Sequence, residues 1–387
     1  MKRKRWPIIV VPLGLAAVLL RMTLVEPAHA ETSAALARRI HLADGFEARV
    51  LMVQGKRFTR GGDYPGQPDL ITVFPQADGG TTLYISHELS SDGPVGAASL
   101  SEVVLDASGK VVESGTVVQE RHNLCSGTVT PWGTVLTCEE FPRPNKPQEG
   151  YVWEFDPKTK TITRLDALGR FSHESAAFDA AGNCVLTEDE HEGGHLYRFI
   201  PKPKGQLKAG ILEVLNPLWG RWVKIGDPKK AGQQARSMGG WAELPRPEGI
   251  DPWPGGGFAV ALTGLLETKH RFGRIVRFHP ERGTLTDILR CGPDTIIQPD
   301  NLRFRPNGWL YVCEDRYPEH LSAYGPNRVV AVSHDGKKIK VLATASEGEV
   351  SGVVFHPDGK RCYINIMHET ESLTLEIIGP FATLEAS

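Results

Sequence analysis

The chain has 387 residues, with 44 lysines and arginines against 46 aspartates and glutamates. That even balance, with no basic patch or tail, excludes the electrostatic footprint of a nucleic-acid binder. Glycine (41) and proline (28) are abundant but scattered, so they read as turn punctuation and not as a disordered tract, and the length suits one large closed all-β domain.

In chain order the first predicted element is a secretory signal. Lys2, Arg3, Lys4 and Arg5 form a positive start. An apolar run over residues 6–20 follows, about 15 long and short of the ~20 that a membrane span needs. Ala28, His29 and Ala30 then supply small residues at cleavage spacing. Met1–Ala30 is therefore expected to be removed, the alternative being an uncleaved anchor. The mature chain, residues 31–387, is expected to be periplasmic or secreted with no stable membrane insertion. Its cysteines, Cys125, Cys138, Cys184, Cys291, Cys313 and Cys362, all lie beyond the signal, where export permits disulfides. Their spacing does not resemble a small disulfide scaffold, and no pairing can be deduced.

Internal repeats then set the fold class. A tight turn, an alternating apolar strand and polar or acidic residues recur six times, with turn glycines at Gly80, Gly133, Gly182, Gly257, Gly308 and Gly359. The interval is about 50 residues, with one gap of about 75, which suits the four-stranded blades of a β-propeller. A second repeated strand, as at residues 150–157, 194–201 and 273–280, ends in proline and reads as an outer strand. The prediction is an all-β, six-bladed propeller with a metal-binding central channel. The long gap is expected to be an insertion loop over about residues 202–240, with a short helical turn.

A polar segment precedes each turn, where the innermost strand of a blade should begin. Cys125, Glu174, Glu248, Asp300 and Glu349 are separated by about one blade period each, and Asp69 sits in similar phase in the first blade. Radial repetition would place them around one channel, where converging carboxylates need raised pKa values or cations between them. Oxygen ligands suit calcium, and a thiolate beside carboxylates suits a softer metal such as iron. The competing reading is that these are turn acids capping backbone amides. A further acidic tier ends the second strands: Glu88, Glu139, Glu140, Glu188, Asp189, Glu314 and Asp315. Alternation allows only some to face the channel, and Glu140 is selected because it shares a blade with Cys125. His87, His122 and His173 are possible ligands, though each alone reads more readily as a satisfied histidine.

Cys125, Ser126 and Gly127, the Thr130–Thr134 turn with Pro131, Trp132 and Gly133, and Thr137, Cys138, Glu139 and Glu140 together resemble the hallmark of PhoX-type alkaline phosphatases. So do the segment 169–174, Arg246 with Pro247 and Glu248, Pro299 with Asp300 and Asn301, and Glu349 with Gly352. The resemblance covers most of the mature chain, and the Cys125-to-Glu140 block is its most specific part. It implies an iron pair and several calcium ions in the channel. Cys125 and Glu140 would bind iron, and Glu174, Glu248, Asp300 and Glu349 iron or calcium. Arg246 would hold the phosphate as a bidentate fork. The expected activity is hydrolysis of small-molecule phosphoesters by a monomer. The chain departs from the family in lacking a twin-arginine pair before the apolar run, in Thr128 and Val135, and in its shorter length. A calcium-dependent lactonase or esterase propeller, and a non-catalytic binding propeller, are the other readings.

Overall fold

Alternating apolar residues between glycine turns form antiparallel strands, which the computed structural model arranges as six sheets. The structure describes residues 39–90, 92, 98–266, 268–367 and 371–386, so the expected signal segment lies outside the described residues. Each sheet is one propeller blade. The innermost strands are Pro68–Pro75, Leu124–Val129, His173–Phe178, Pro247–Pro252, Pro299–Phe304 and Glu349–Phe355. Innermost strands of neighbouring blades contact one another around the ring, the sixth returning to the first.

The ring is closed by the beginning of the domain. Glu47–Val53 pairs antiparallel with Leu373–Ile378 and completes blade six, while Ile40–Leu42 adds a fifth strand to blade five. A propeller closed this way holds strands from the beginning and the end of the domain in one hydrogen-bonded sheet, so those two strands cannot splay independently.

The stretch 202–240 differs from the predicted insertion loop. Gly210–Asn216 and Arg221–Lys224 extend blade three to five strands, and only then does the helix Ala231–Met238 follow. The reason is packing: Leu212 and Val214 are buried in an inter-blade core with Phe199 and Leu186, together with Ala231 and Ala235 of the helix. Among the described residues no helix is long and apolar enough to cross a membrane. All six cysteines are free thiols in the structure, and all but the half-buried Cys291 are buried.

Apolar layers between adjacent blades form the core. The seam between blades six and one buries Met52, Tyr64, Leu83, Ile85 and Tyr363 together. Tyr64 also shares a hydrogen bond with Thr374 Oγ1 at 2.6 Å. Met52 lies on the closing strand and is fully buried. Met52→Ala is expected to lower unfolding stability by about 2–5 kcal/mol, and Met52→Leu by under ~1.5 kcal/mol. Urea unfolding of both variants checks this, and equal costs would mean the seam is not packed as described.

Candidate functional site

The inner strands present their polar residues through a shared backbone device. Gln67, Asn123, Arg246 and Gln298 adopt left-handed φ values of 47°, 43°, 54° and 53°. Each stands two residues before a site residue: Asp69, Cys125, Glu248 or Asp300. In three of these the intervening residue is proline, which needs no ladder partner for its nitrogen at a strand's first position. A β-bulge then follows in every inner strand, between Pro68 and Ile71, Leu124 and Gly127, His173 and Ala176, Pro247 and Ile250, Pro299 and Leu302, and Ser351 and Val354. Bulges re-aim side chains, and in blades one to five they begin at the strand's first residue, so that the second turns into the channel.

Blade six departs from this phase. Counted from its bulge, the position equivalent to Asp69 is Gly352, and Glu349 lies three residues earlier. Gly352 has a φ of 68°, and a Cβ there would stand 2.3 Å from the Asp69 carbonyl oxygen. No side chain fits at that point, so the blade's carboxylate comes from the first residue of the strand.

The side chains nonetheless converge. Four triads have ligand atoms within 4.8 Å of one another: Asp69, Glu88 and Cys125; Cys125, Glu140 and Glu174; Asp69, Asp300 and Glu349; and Glu174, Glu248 and Asp300. All six residues expected as metal ligands belong to them, with Asp69 and Glu88 added. Cys125 Sγ lies 3.1 Å from Glu88 Oε1 and 3.0 Å from Glu174 Oε2. Each triad could hold one cation. A direct test of fit comes from buried atoms: Asp69 Oδ1 and Glu174 Oε1 have no hydrogen-bond partner. A carboxylate oxygen removed from water and given no donor is costly unless a cation meets it.

The electrostatics point the same way. Burial, then repulsion from neighbouring carboxylates, pushes Asp69, Glu140 and Glu174 well above the usual carboxylate range. Burial raises Glu248 and Glu349 in the same direction. Burial also raises Glu88 to about 7 and Asp300 to about 8, with Asp315 adding repulsion to both. The Cys125 thiol is pushed up by burial and by Asp69, Glu174, Glu88 and Glu140.

Arg246 stands among these acids. Its Nε donates to Asp189 Oδ1 at 3.0 Å and its Nη2 to Asp189 Oδ2 at 2.9 Å. Nη2 also lies 2.7 Å from Glu248 Oε1, and Nη1 donates to Tyr317 Oη at 3.0 Å. The fork expected to grip a phosphate is therefore turned mainly onto Asp189. The sequence could not show this, because Asp189 and Arg246 sit in different blades, 57 positions apart.

The second-strand tier divides by alternation. Glu88, Glu140, Asp189 and Asp315 interact with the cluster. Their preceding neighbours serve the blade bodies. His87 bonds Gly66 O and Ser101 Oγ, and Glu139 accepts from the amides of His122 and Tyr151. Glu188 meets His195 Nδ1 at 2.9 Å, and Glu314 is held by Arg316 and Arg328. His122 and His173 also stand outside the triads, bonded to Phe141 O and Gly169 O. Tyr317 carried no sequence signal: it lies in a loop of blade five beyond the repeated strand.

Against known proteins, a model of the family described as Alkaline phosphatase PhoX matches residues 107–369. The chain belongs to the PhoX alkaline phosphatase family. A search of curated protein sequences finds no match. Among solved structures, Pseudomonas fluorescens PhoX in complex with vanadate is similar at 17% identity and a TM-score of 0.70, over 88% of this chain and 96% of that one. A gluconolactonase from Xanthomonas campestris follows at 16% identity and 0.52, over 91% and 94%. The pyranose dehydrogenase PQQ domain of Coprinopsis cinerea reaches 14% and 0.52, over 88% and 97%. These likenesses show the six-bladed propeller, and the family match makes this PhoX member a phosphatase.

The raised carboxylates give a pH dependence with a definite sign. A group such as Asp300, with an ordinary value of 3.8 and about 8 when folded, keeps a proton in the folded state that the unfolded chain has released. Stability of the metal-free protein should therefore fall as pH rises from about 4 through about 8, the reverse of a salt-bridged acid. Thermal melts with chelator across that range check this. Added calcium should restore most of the loss at the alkaline end, and a pH-independent melting temperature would contradict the account.

Proposed function

We propose that this family member is a metal-dependent phosphatase that hydrolyses small phosphate esters at an iron and calcium cluster in its channel. The observation that carries the reading is the convergence of four ligand triads beside one buried guanidinium. The two triads containing Cys125 have the donor set of iron, and the two all-oxygen triads that of calcium. Support also comes from the vanadate complex of the similar Pseudomonas fluorescens PhoX, described as a transition-state analogue. The gluconolactonase-like alternative needs no thiol ligand, and a buried cysteine among carboxylates has no role in it.

When bound, the cations supply positive charge against the charge that develops on the phosphoryl oxygens. The chain's residues do the rest. Arg246 holds a phosphoryl oxygen, and Asp189 and Glu248 fix its guanidinium in one orientation, so little order is lost on binding. Burial and its carboxylate neighbours disfavour the Cys125 thiolate, so Cys125 would have to release its proton to serve as a ligand to a cation held there. Below the cluster the channel narrows to a cavity of about 20 Å3, lined by Gly127, Gly249 and Gly352 among others. That is space for about one water and too little for a phosphate ester. We further propose that the protein acts after export, in the periplasm or medium.

The test is elemental analysis of the exported protein with turnover of p-nitrophenyl phosphate before and after chelation. Iron and calcium with chelator-sensitive turnover are expected; calcium alone without turnover would favour a lactonase. Cys125→Ala should lose iron and keep most calcium. Arg246→Ala should lower kcat/KM on the order of 100- to 1,000-fold with metal content retained. Arg246→Lys should rescue little, since an ammonium lacks the fork that Asp189 holds. Unchanged turnover in Arg246→Ala would remove Arg246 from the mechanism.

A further inference from the structure

The guanidinium of Arg246 has five N–H donors, and four are committed. Nε and one Nη2 hydrogen face Asp189, the other Nη2 hydrogen faces Glu248, and one Nη1 hydrogen faces Tyr317. Among the described residues, one Nη1 hydrogen is left. Arg246 therefore cannot grip a phosphoryl group with two of its own N–H groups without giving up a partner it already holds, Asp189, Glu248 or Tyr317. The carboxylates around it accept hydrogen bonds but donate none when ionised.

We propose that Tyr317 supplies the missing donor and is a second phosphate-contacting group, an assignment that rests on the phosphatase reading. Its Oη accepts from Arg246 Nη1 at 3.0 Å, so its own O–H remains free to donate. An N–H and an O–H side by side offer two oxygens of one phosphoryl group two separate donors. Tyr317 is only half-buried, so an incoming ligand can reach it. Its backbone is fixed: the Tyr317 amide donates to Gln298 Oε1 at 2.6 Å, and Pro318 opens the short helix Pro318–Tyr324 directly after it. His320 Nδ1 meets the same Gln298 oxygen at 2.8 Å, which holds that helix to the residue preceding Pro299 and Asp300. The hydroxyl is thus set against Arg246 before any ligand arrives, at little entropic cost.

Tyr317→Phe isolates the hydroxyl, because the ring and its approach to the guanidinium, 5.5 Å from Cζ to centroid, are kept. The experiment is calorimetric titration of the metal-loaded full chain with inorganic phosphate. It is paired with kcat and KM for p-nitrophenyl phosphate, metal content and melting temperature. The expected result is phosphate affinity and kcat/KM lowered on the order of tenfold, with metal content and melting temperature unchanged. Phosphate affinity equal to wild type in the Phe variant would overturn the assignment while leaving the phosphatase reading intact. A shift in melting temperature or metal content without a change in phosphate affinity would make the hydroxyl structural and overturn it too. A wild-type chain that binds no phosphate would sink the phosphatase reading itself, and the assignment with it.

Discussion

Mutual repulsion among buried carboxylates is the constraint around which this molecule is organised. Asp69, Glu88, Cys125, Glu140, Glu174, Glu248, Asp300 and Glu349 share overlapping triads, and Arg246 is a cation paired with one of them, Glu248. Arg246 is itself divided between Asp189 and Glu248. Protons can relieve the remaining charge only at the expense of the anionic ligands, as the upward shifts of Glu88 and Asp300 indicate. Cations relieve it and leave the ligands ionised. Substrate charge adds to the same problem, since a phosphate brought among these acids must be met by positive charge and by donors that the acids lack.

The propeller solves the delivery problem by repetition. In blades one, two, four and five a left-handed residue, a strand start and a bulge together bring one side chain per blade to a common level, and blade three does so with the strand start and bulge alone. A non-glycine residue at positive φ costs free energy, and a bulge gives up a ladder hydrogen bond. The bulge recurs in every inner strand, and the positive φ in four of them. The exception is informative. In blade six the backbone of Asp69 occupies the space a ligand's Cβ would need, so the position is Gly352 and Glu349 reaches in from the strand's first residue.

Much of this was legible in the sequence because repetition is written in spacing. The turn glycines gave the blade count, and the intervals between Cys125, Glu174, Glu248 and Asp300 gave their common level. Period two says that Glu139 and Glu140 face opposite ways but not which faces the channel. The shared blade with Cys125 favoured Glu140, and the same argument was lacking for Glu88, Asp189 and Asp315. Contacts between blades left no trace in spacing. The Asp189 clamp on Arg246 and the Tyr317 contact join residues whose separation carries no period. The outer strands of blade three were hidden because residues 202–240 break the repeat length, although their buried Leu212 and Val214 follow strand alternation.

Ring closure and site assembly are consequently one problem. The triad of Asp69, Asp300 and Glu349 joins blades one, five and six, and so spans the point where the chain's first and last blades meet. Asn365 of blade six donates to the Asp69 carbonyl, and Ser351 donates to the carbonyl of Pro68. Both bonds cross from blade six, the sheet that Glu47–Val53 completes against Leu373–Ile378, to the inner strand of blade one. The triad of Cys125, Glu140 and Glu174 needs only blades two and three, which are consecutive in the chain. The triad of Cys125, Glu140 and Glu174 thus draws on neighbouring segments of the chain, whereas the all-oxygen triad at the seam draws on blades from both ends of the ring. A cation held by all three residues of that triad would require blades one, five and six to be together, and would stabilise that arrangement by mass action.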